Sequence, residues 1–456
     1  MWAIGLVGVA LVVIYFSHLI IKWKNPKIDG VLPPGSMGWP LIGETLQFIA
    51  PGRSLDLHPF VKKRMQKYGP IFKTSLVGRP IIVSTDNEIN KYILQHEGTL
   101  VELWYLDSFA KFFALEGETS LNVIGKVHRY IRSITLNHFG VESLKESLLP
   151  KIEDMLHTNL SKWATQDLLT SNTLFQLMMN NFISLPLNIP GTSFHQCMQD
   201  REKMLKMLKD TLMERLNDPS KRRGDFLDQA IDDMETEKFL TVDSITHLLF
   251  GILFASFESI STILTLTFKF LSENTRVVEE LAEKGKSKLR LTWEEYKSMT
   301  FTQMVVNETL RISNNLPGLF RKALKDFQVK GYTVPAGWTI LLVTPAAQLN
   351  PETFKDPVAF NPWRWKDLDQ VTISKNFMPF GGGIRQCAGA EYSKLVSSTF
   401  LMFTKVKGGD VSRTPIISFG DGIQIKFTAK IEGGFLPCLW KCMFMIYVLV
   451  YKQLIT

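Results

Sequence analysis

Phe380-Gly-Gly-Gly-Ile-Arg385-Gln-Cys387-Ala-Gly389 is the stretch that decides how the rest of the chain is read. It sets Phe380, Gly383, Arg385, Cys387 and Gly389 at the spacing F-x-x-G-x-R-x-C-x-G. A lone cysteine in a glycine-rich loop is usually a buried structural residue in a tight turn. All five positions acquire a physical job together if the Cys387 sulfur is the thiolate ligand of a haem iron. Glycines let the backbone turn tightly and lie against a porphyrin, where a Cβ would clash. Backbone N–H groups in such a loop aim at the sulfur, keep it a thiolate and tune the metal. Arg385 places a cation where a haem propionate would sit, and Phe380 offers a flat apolar shield beside the sulfur. A helix following Gly389 would turn its positive end toward the same atom.

Composition bounds the remainder. The 456 residues fit one large domain or two to three average ones, and 45% hydrophobic with 21% charged residues is a globular balance. The formal charge of +8 is spread out rather than blocked. Clusters such as Lys62-Lys63-Arg64 and Lys221-Arg222-Arg223 are short and lack interleaved aromatics, which argues against nucleic-acid binding. A basic surface suits an anionic membrane or an acidic protein partner. Cys197, Cys387, Cys438 and Cys442 show neither metal-type spacing nor a disulfide framework, so the body reads as reduced and cytosol-facing. From Trp2 to Ile21 the chain is an apolar run long enough to span a bilayer as a helix, with no small-residue cleavage site after it. Lys22, Lys24 and Lys27 follow at once, which predicts a lumenal N-terminus and a cytosolic body.

The expected organisation is an anchor over 1–24, a hinge over 25–45, a catalytic body over 46–432 and an atypical hydrophobic tail over 433–456. The hinge carries Leu32-Pro-Pro-Gly-Ser-Met-Gly-Trp-Pro-Leu-Ile-Gly-Glu44, too rich in Pro and Gly for helix or central strand. Helical patterns then cover 59–68, 88–95, 126–139, 144–160, 194–216 and 242–271. Short strand signals cover 71–76, 80–84, 327–329, 339–343 and 416–427. The predicted fold class is therefore mainly α with small β-sheets, preceded by an N-terminal transmembrane helix.

Three constellations carry chemistry. Glu308-Thr-Leu-Arg311 puts a carboxylate and a guanidinium at i and i+3 on one helix face, where they can pair. Phe360-Asn-Pro-Trp-Arg364-Trp365 follows about fifty residues later. His128-x-x-x-Arg132 likewise shares a helix face, and Leu319-Phe-Arg321-Lys322 follows the Glu-x-x-Arg helix. The long helix is apolar nearly all round from Leu248 to Phe268, which marks burial. His247, Glu258 and Lys269 make a second membrane span expensive. In its middle stands Ala255-Ser-Phe-Glu258-Ser259, and a carboxylate there needs a partner or a purpose.

These residues resemble the cytochromes P450 of plant microsomes over nearly the whole chain, from the hinge to about Lys430. Glu102-Leu-Trp-Tyr105, Tyr130-Ile-Arg-Ser-Ile-Thr-Leu-Asn-His-Phe-Gly140, Phe254-Ala-Ser-Phe-Glu-Ser-Ile-Ser-Thr262 and Asn376-Phe-Met-Pro-Phe-Gly-Gly-Gly383 are similar to members that oxidise tetracyclic triterpenes and sterols. The resemblance implies the P450 fold, haem b with Cys387 as metal ligand, and O2 as oxidant. It also implies a hydrophobic triterpenoid or sterol substrate, an NADPH–cytochrome P450 reductase partner, and residence in the endoplasmic reticulum membrane. His128, Arg132 and Arg321 would join Arg385 at the haem propionates, and Arg364 would complete a structural network with Glu308 and Arg311. Glu258 and Ser259 would be the acid–alcohol pair that delivers protons over the distal face, with Ser259 distorting the helix locally. Serine stands at 259 where the family usually has threonine, and at 256 where it usually has glycine. Three stretches, 163–184, 280–291 and the segment after the helix from Ala390, are shorter than the family pattern. They motivate the alternative of a non-catalytic or misfolded P450-derived haem or ligand binder. A P450-fold isomerase or dehydratase acting on peroxides would not need the acid–alcohol pair.

Overall fold

The computed structural model describes residues 13–17, 19–20, 28–50, 54–105, 125–154, 188–284 and 291–401, with four short strands between 404 and 427. Most of the expected anchor lies outside these; residues 13–17 are helical and exposed. The stretch 163–184, the tail 433–456 and the side chain of Glu258 also lie outside them.

Two kinds of packing position the site. The first is a five-stranded sheet built from β1 (Ile71–Leu76), β2 (Arg79–Ser84), β3 (Val101–Leu103), β4 (Leu319–Ala323) and β5 (Thr339–Leu342), in the order β1-β2-β5-β4-β3. Strand side chains alternate between faces. Ile82, Ile340 and Leu342 accordingly enter one apolar cluster, while Ile81, Val83 and Leu341 enter another. Burial on both faces explains the unbroken apolar run Thr339–Leu342, which pairs parallel with β2 and antiparallel with β4.

The second is a helical layer: α1 (Pro59–Tyr68), α2 (Asn87–Gln95), α3 (Lys126–Phe139), α4 (Ser193–Asn217), α5 (Val242–Glu273), α6 (Thr300–Ser313) and α7 (Ala390–Leu401). Asp86 caps α2 by accepting from the Ile89 amide at 3.0 Å. Thr241 and Ser244 cap α5 reciprocally, each side chain accepting the other's backbone N–H at 3.1 and 2.7 Å. Ile134 of α3, Leu208 of α4, Phe250 and Phe257 of α5, Val305 of α6 and Leu395 of α7 share one buried cluster. Among the described residues α5 is the one helix long and apolar enough to cross a bilayer. Its Leu249, Phe250, Leu264, Leu266 and Phe268 are nonetheless fully buried in protein, as expected of a core helix.

Several sequence expectations shift. The stretch expected as one helix over 144–160 starts as a short helix, Val141–Ser143, and passes through a π turn, Leu144–Leu148. The Ser143 and Ser147 hydroxyls donate to the His138 and Ser143 carbonyls there, competing with regular helix bonding. The strand signal over 416–427 divides into Ile416–Phe419, paired with Val411–Thr414, and Gln424–Phe427, paired with Thr404–Lys407. Gly420-Asp-Gly422 interrupts the apolar run, and each half finds its own partner. β3 and β4 carry no strand signal of their own; they are too short and are fixed by pairing, Val101 with Ala323 and Leu103 with Arg321.

Candidate functional site

The Cys387 loop folds through a short 3-10 turn, Gly383–Arg385, and closes with the Cys387 amide donating to the Phe380 carbonyl at 3.0 Å. Gly383 has φ +68°, and a Cβ on it would stand 2.3 Å from the Leu94 carbonyl oxygen at the end of α2. The glycine at this position is thus required by packing against α2 and by its backbone. A Cβ on Gly389 would meet the Cys387 sulfur at 4.0 Å. The Gly389 amide donates to that sulfur, and α7 begins at the next residue. The Phe380 ring is half-buried, with the Lys394 ammonium 5.6 Å from its centroid.

Cys387 combines two properties seldom found together. It has accessible surface, yet burial pushes its thiol above the ordinary range, against the Gly389 N–H and the Arg132 cation. Tyr105 behaves alike: 39% accessible, with its hydroxyl pushed up first by burial.

Around Cys387 the chain gathers cations from three distant elements. Arg132 of α3 donates from Nη1 to the Gln386 carbonyl at 2.6 Å. Arg321, buried on β4, donates to Glu97 through Nε and to the Phe320 carbonyl through Nη1 at 2.8 Å. Arg385 donates through Nε to the other Glu97 oxygen at 3.0 Å. Burial holds the Arg385 guanidinium below its usual range, helped by Arg321 and opposed by Glu97. His128, one turn before Arg132, is held below the usual histidine range by burial and then by Arg385 and Arg132. Its Nδ1 is buried and has no partner. Two guanidiniums thus share the Glu97 carboxylate, Arg132 reaches the loop backbone, and among the described residues His128 Nδ1 is left without an acceptor. The carboxylates of a haem would suit this set and the accessible Cys387 sulfur would ligate its iron, so the residues present fit that group.

Glu308, Arg311 and Arg364 meet behind the loop. Arg311 grips Glu308 bidentately at 2.9 and 2.8 Å, and Arg364 Nε adds a bond at 2.9 Å. The Asn361 amide and the Trp365 indole complete the carboxylate at 3.0 and 3.1 Å. Trp365 in turn packs on Phe377, which precedes the loop, with ring centroids 4.7 Å apart.

On α5, Ser259 Oγ donates to the Ala255 carbonyl at 2.6 Å, and Ser256 Oγ to the Ile252 carbonyl at 2.7 Å. The helix is continuous through both, so a hydroxyl bonded one turn back takes the place of the expected local distortion. Two participants escaped sequence reading. Asn315, just after α6, donates to the Ser259 carbonyl at 3.4 Å, and Glu97 joins Arg321 to Arg385. A single Asn or Glu in a loop gives no signal, because its partners lie more than fifty and more than two hundred residues away.

The comparisons with known proteins agree with this geometry. The family model for cytochrome P450 matches residues 33–193 and 187–404. The chain is 49% identical to cucurbitadienol 11-hydroxylase of Siraitia grosvenorii and 48% identical to beta-amyrin 16-alpha-hydroxylase of Maesa lanceolata. Each alignment takes in 94% of this chain and 100% of the relative. Both run over 473 residues, more than the chain possesses, so this chain carries gaps against them. Among solved structures, a retinoic acid bound cyanobacterial P450 superposes with a TM-score of 0.75 at 25% identity, over 88% of this chain and 100% of that one. Full-length identity near one half with named hydroxylases does not favour a non-catalytic derivative. The chain belongs to the cytochrome P450 family and is a monooxygenase, with the thiolate-ligated haem iron that membership implies.

Proposed function

We propose that this P450 inserts one atom of O2 into a C–H bond of a triterpenoid or sterol, at the cytosolic face of the endoplasmic reticulum. The observation that carries the reading is the convergence of the accessible Cys387 sulfur with Arg132, Arg321, Arg385 and the His128 Nδ1, which has no partner among the described residues. Haem b, bound through Cys387, supplies the redox iron at which O2 is activated.

The chain's own residues do the rest. Arg132, Arg321 and Arg385 hold the propionate carboxylates, with His128 donating from Nδ1. The Gly389 N–H would stabilise negative charge on the sulfur that holds the iron. Ser259, with one donor and two acceptor sites, keeps its helix bond to Ala255 or turns that donor toward a bound water or substrate. Glu258 moves protons along the same helix. The apolar faces of α5, with Phe254 and Phe257 buried, exclude bulk water. Glu308, Arg311 and Arg364 brace the segment leading into the Cys387 loop. Electrons come from NADPH through a separate flavoprotein reductase, because the sequence holds no flavin or dinucleotide fingerprint. The apolar run from Trp2 to Ile21 anchors the body.

The substrate class rests on the two triterpene hydroxylases and on a cholesterol 16,22-dihydroxylase of Trigonella foenum-graecum at 32% identity. Full chain in microsomes with a plant reductase, NADPH and cucurbitadienol, beta-amyrin or cholesterol is expected to yield a product heavier by one oxygen, labelled by ¹⁸O₂. Unlabelled product, or turnover confined to non-isoprenoid substrates, contradicts the reading.

A further inference from the structure

Glu97 has no role in the chemistry described so far, yet its carboxylate is 1% accessible and divided between two arginines that face the haem site. A buried carboxylate is costly to desolvate and is retained only where it is well paired. Its position is fixed by a tight turn after α2. The Gly98 amide donates to the Val101 carbonyl at 2.7 Å, the Leu100 amide to the His96 carbonyl at 2.9 Å, and Glu97 itself bridges to Val101. The same corner is where the Leu94 carbonyl lies against Gly383. The end of α2 therefore meets the Cys387 loop twice, once by backbone packing and once by charge.

Glu97 also meets each arginine at Nε, the inner edge of the guanidinium. A bond there fixes the plane of the fork, because Nε lies in that plane and adjoins the side-chain stem. Left alone, Arg321 and Arg385 would repel one another in a low-dielectric site, and both would have to be ordered when an anion arrives. With Glu97 between them they are held at one spacing.

We propose that Glu97 is a positioning residue: it presets Arg321 and Arg385 for the carboxylates of haem. This rests on the haem-site reading above.

The test compares the full-length wild type with Glu97→Gln and Glu97→Asp, each loaded with haem. Glu97→Gln preserves shape and removes the charge; Glu97→Asp preserves the charge at shorter reach. Transfer of haem to excess apomyoglobin is expected to run about tenfold faster in Glu97→Gln, the size of one charge-assisted hydrogen bond. The ferric–ferrous potential should move upward, because a nearby negative charge is gone, while the red-shifted ferrous-CO band keeps its position. Glu97→Asp should recover part of both. A Glu97→Gln protein with the thiolate band but unchanged haem transfer and potential overturns the proposal while leaving the haem site standing. Loss of folded helix content with no shift in the potential of the remaining holoprotein also overturns it, since that marks a structural role only. Absence of the thiolate band from wild type overturns the haem reading itself.

Discussion

Two clusters of arginine and glutamate lie on either side of the Cys387 loop, and they are built on opposite plans. Around Glu308 every oxygen is engaged: two arginines, a backbone amide and an indole converge on one carboxylate at 2.8–3.1 Å, and Glu308 and Arg311 are 0% accessible. Around Glu97 the balance is tilted. Arg321 and Arg385 share a single carboxylate, Arg132 reaches the loop backbone, His128 Nδ1 is buried without a partner among the described residues, and the Cys387 sulfur is accessible. A carboxylate with every bond made in the core stabilises what is already folded, whereas cations beside an accessible sulfur and an unpartnered imidazole nitrogen are shaped for something that arrives later. The same residue types therefore serve as brace in one place and as receptor in the other.

If that contrast holds, the brace should show the largest effect on folding. Replacing Glu308 by alanine strands Arg311 and Arg364 in the core and is expected to cost about 3–5 kcal/mol, the range for breaking a buried pair. Against a total stability of roughly 5–15 kcal/mol, that brings the protein close to unfolding. Urea denaturation followed by far-UV circular dichroism measures it, and a shift below about 1 kcal/mol would place the pair among ordinary surface bridges.

The receptor side should respond in the other currency. Arg132→Ala is expected to release haem to apomyoglobin about tenfold faster, while the urea midpoint of the haem-free chain stays near wild type. An equal loss of both would erase the distinction between the clusters.

A smaller effect is expected at Ser259. Ser259→Ala should retain haem and the thiolate band, but form severalfold less product per NADPH and more peroxide, since the hydroxyl beside Ala255 is gone. Unchanged coupling removes Ser259 from proton delivery.

The smallest concerns pH. The folded haem-free chain holds His128 below its ordinary value of 6.5, so the unfolded chain binds its proton first as pH falls. The resulting stability is complete above about pH 6.5 and declines as pH drops below it. His128→Gln should flatten that slope in a series of denaturation curves. A slope of unchanged steepness assigns it to other groups.

What the sequence disclosed follows from how local each feature is. The Cys387 loop was legible because five constrained positions fall within ten residues. The helices α1 and α3 carry their own periodicity and appear with the expected bounds. Glu308 and Arg311 were visible as an i, i+3 pair. By contrast β3 and β4 are strands only because they pair with each other and with β5. Glu97 gains meaning only when that pairing brings Arg321 to the loop. Gly383 also makes room for Leu94, a neighbour that no local pattern reveals.

The central claim is that the cation cluster around Cys387 is a receptor for haem and that Cys387 is its ligand. Full-length protein, reduced with dithionite and exposed to carbon monoxide, tests it in one spectrum. A thiolate opposite CO donates charge through the iron and moves the absorption band far to the red of histidine-ligated haem. The wild type is expected to show that red-shifted band and Cys387→Ser to lack it. A band at the histidine-type position in wild type, or a red-shifted band that survives Cys387→Ser, would contradict the account.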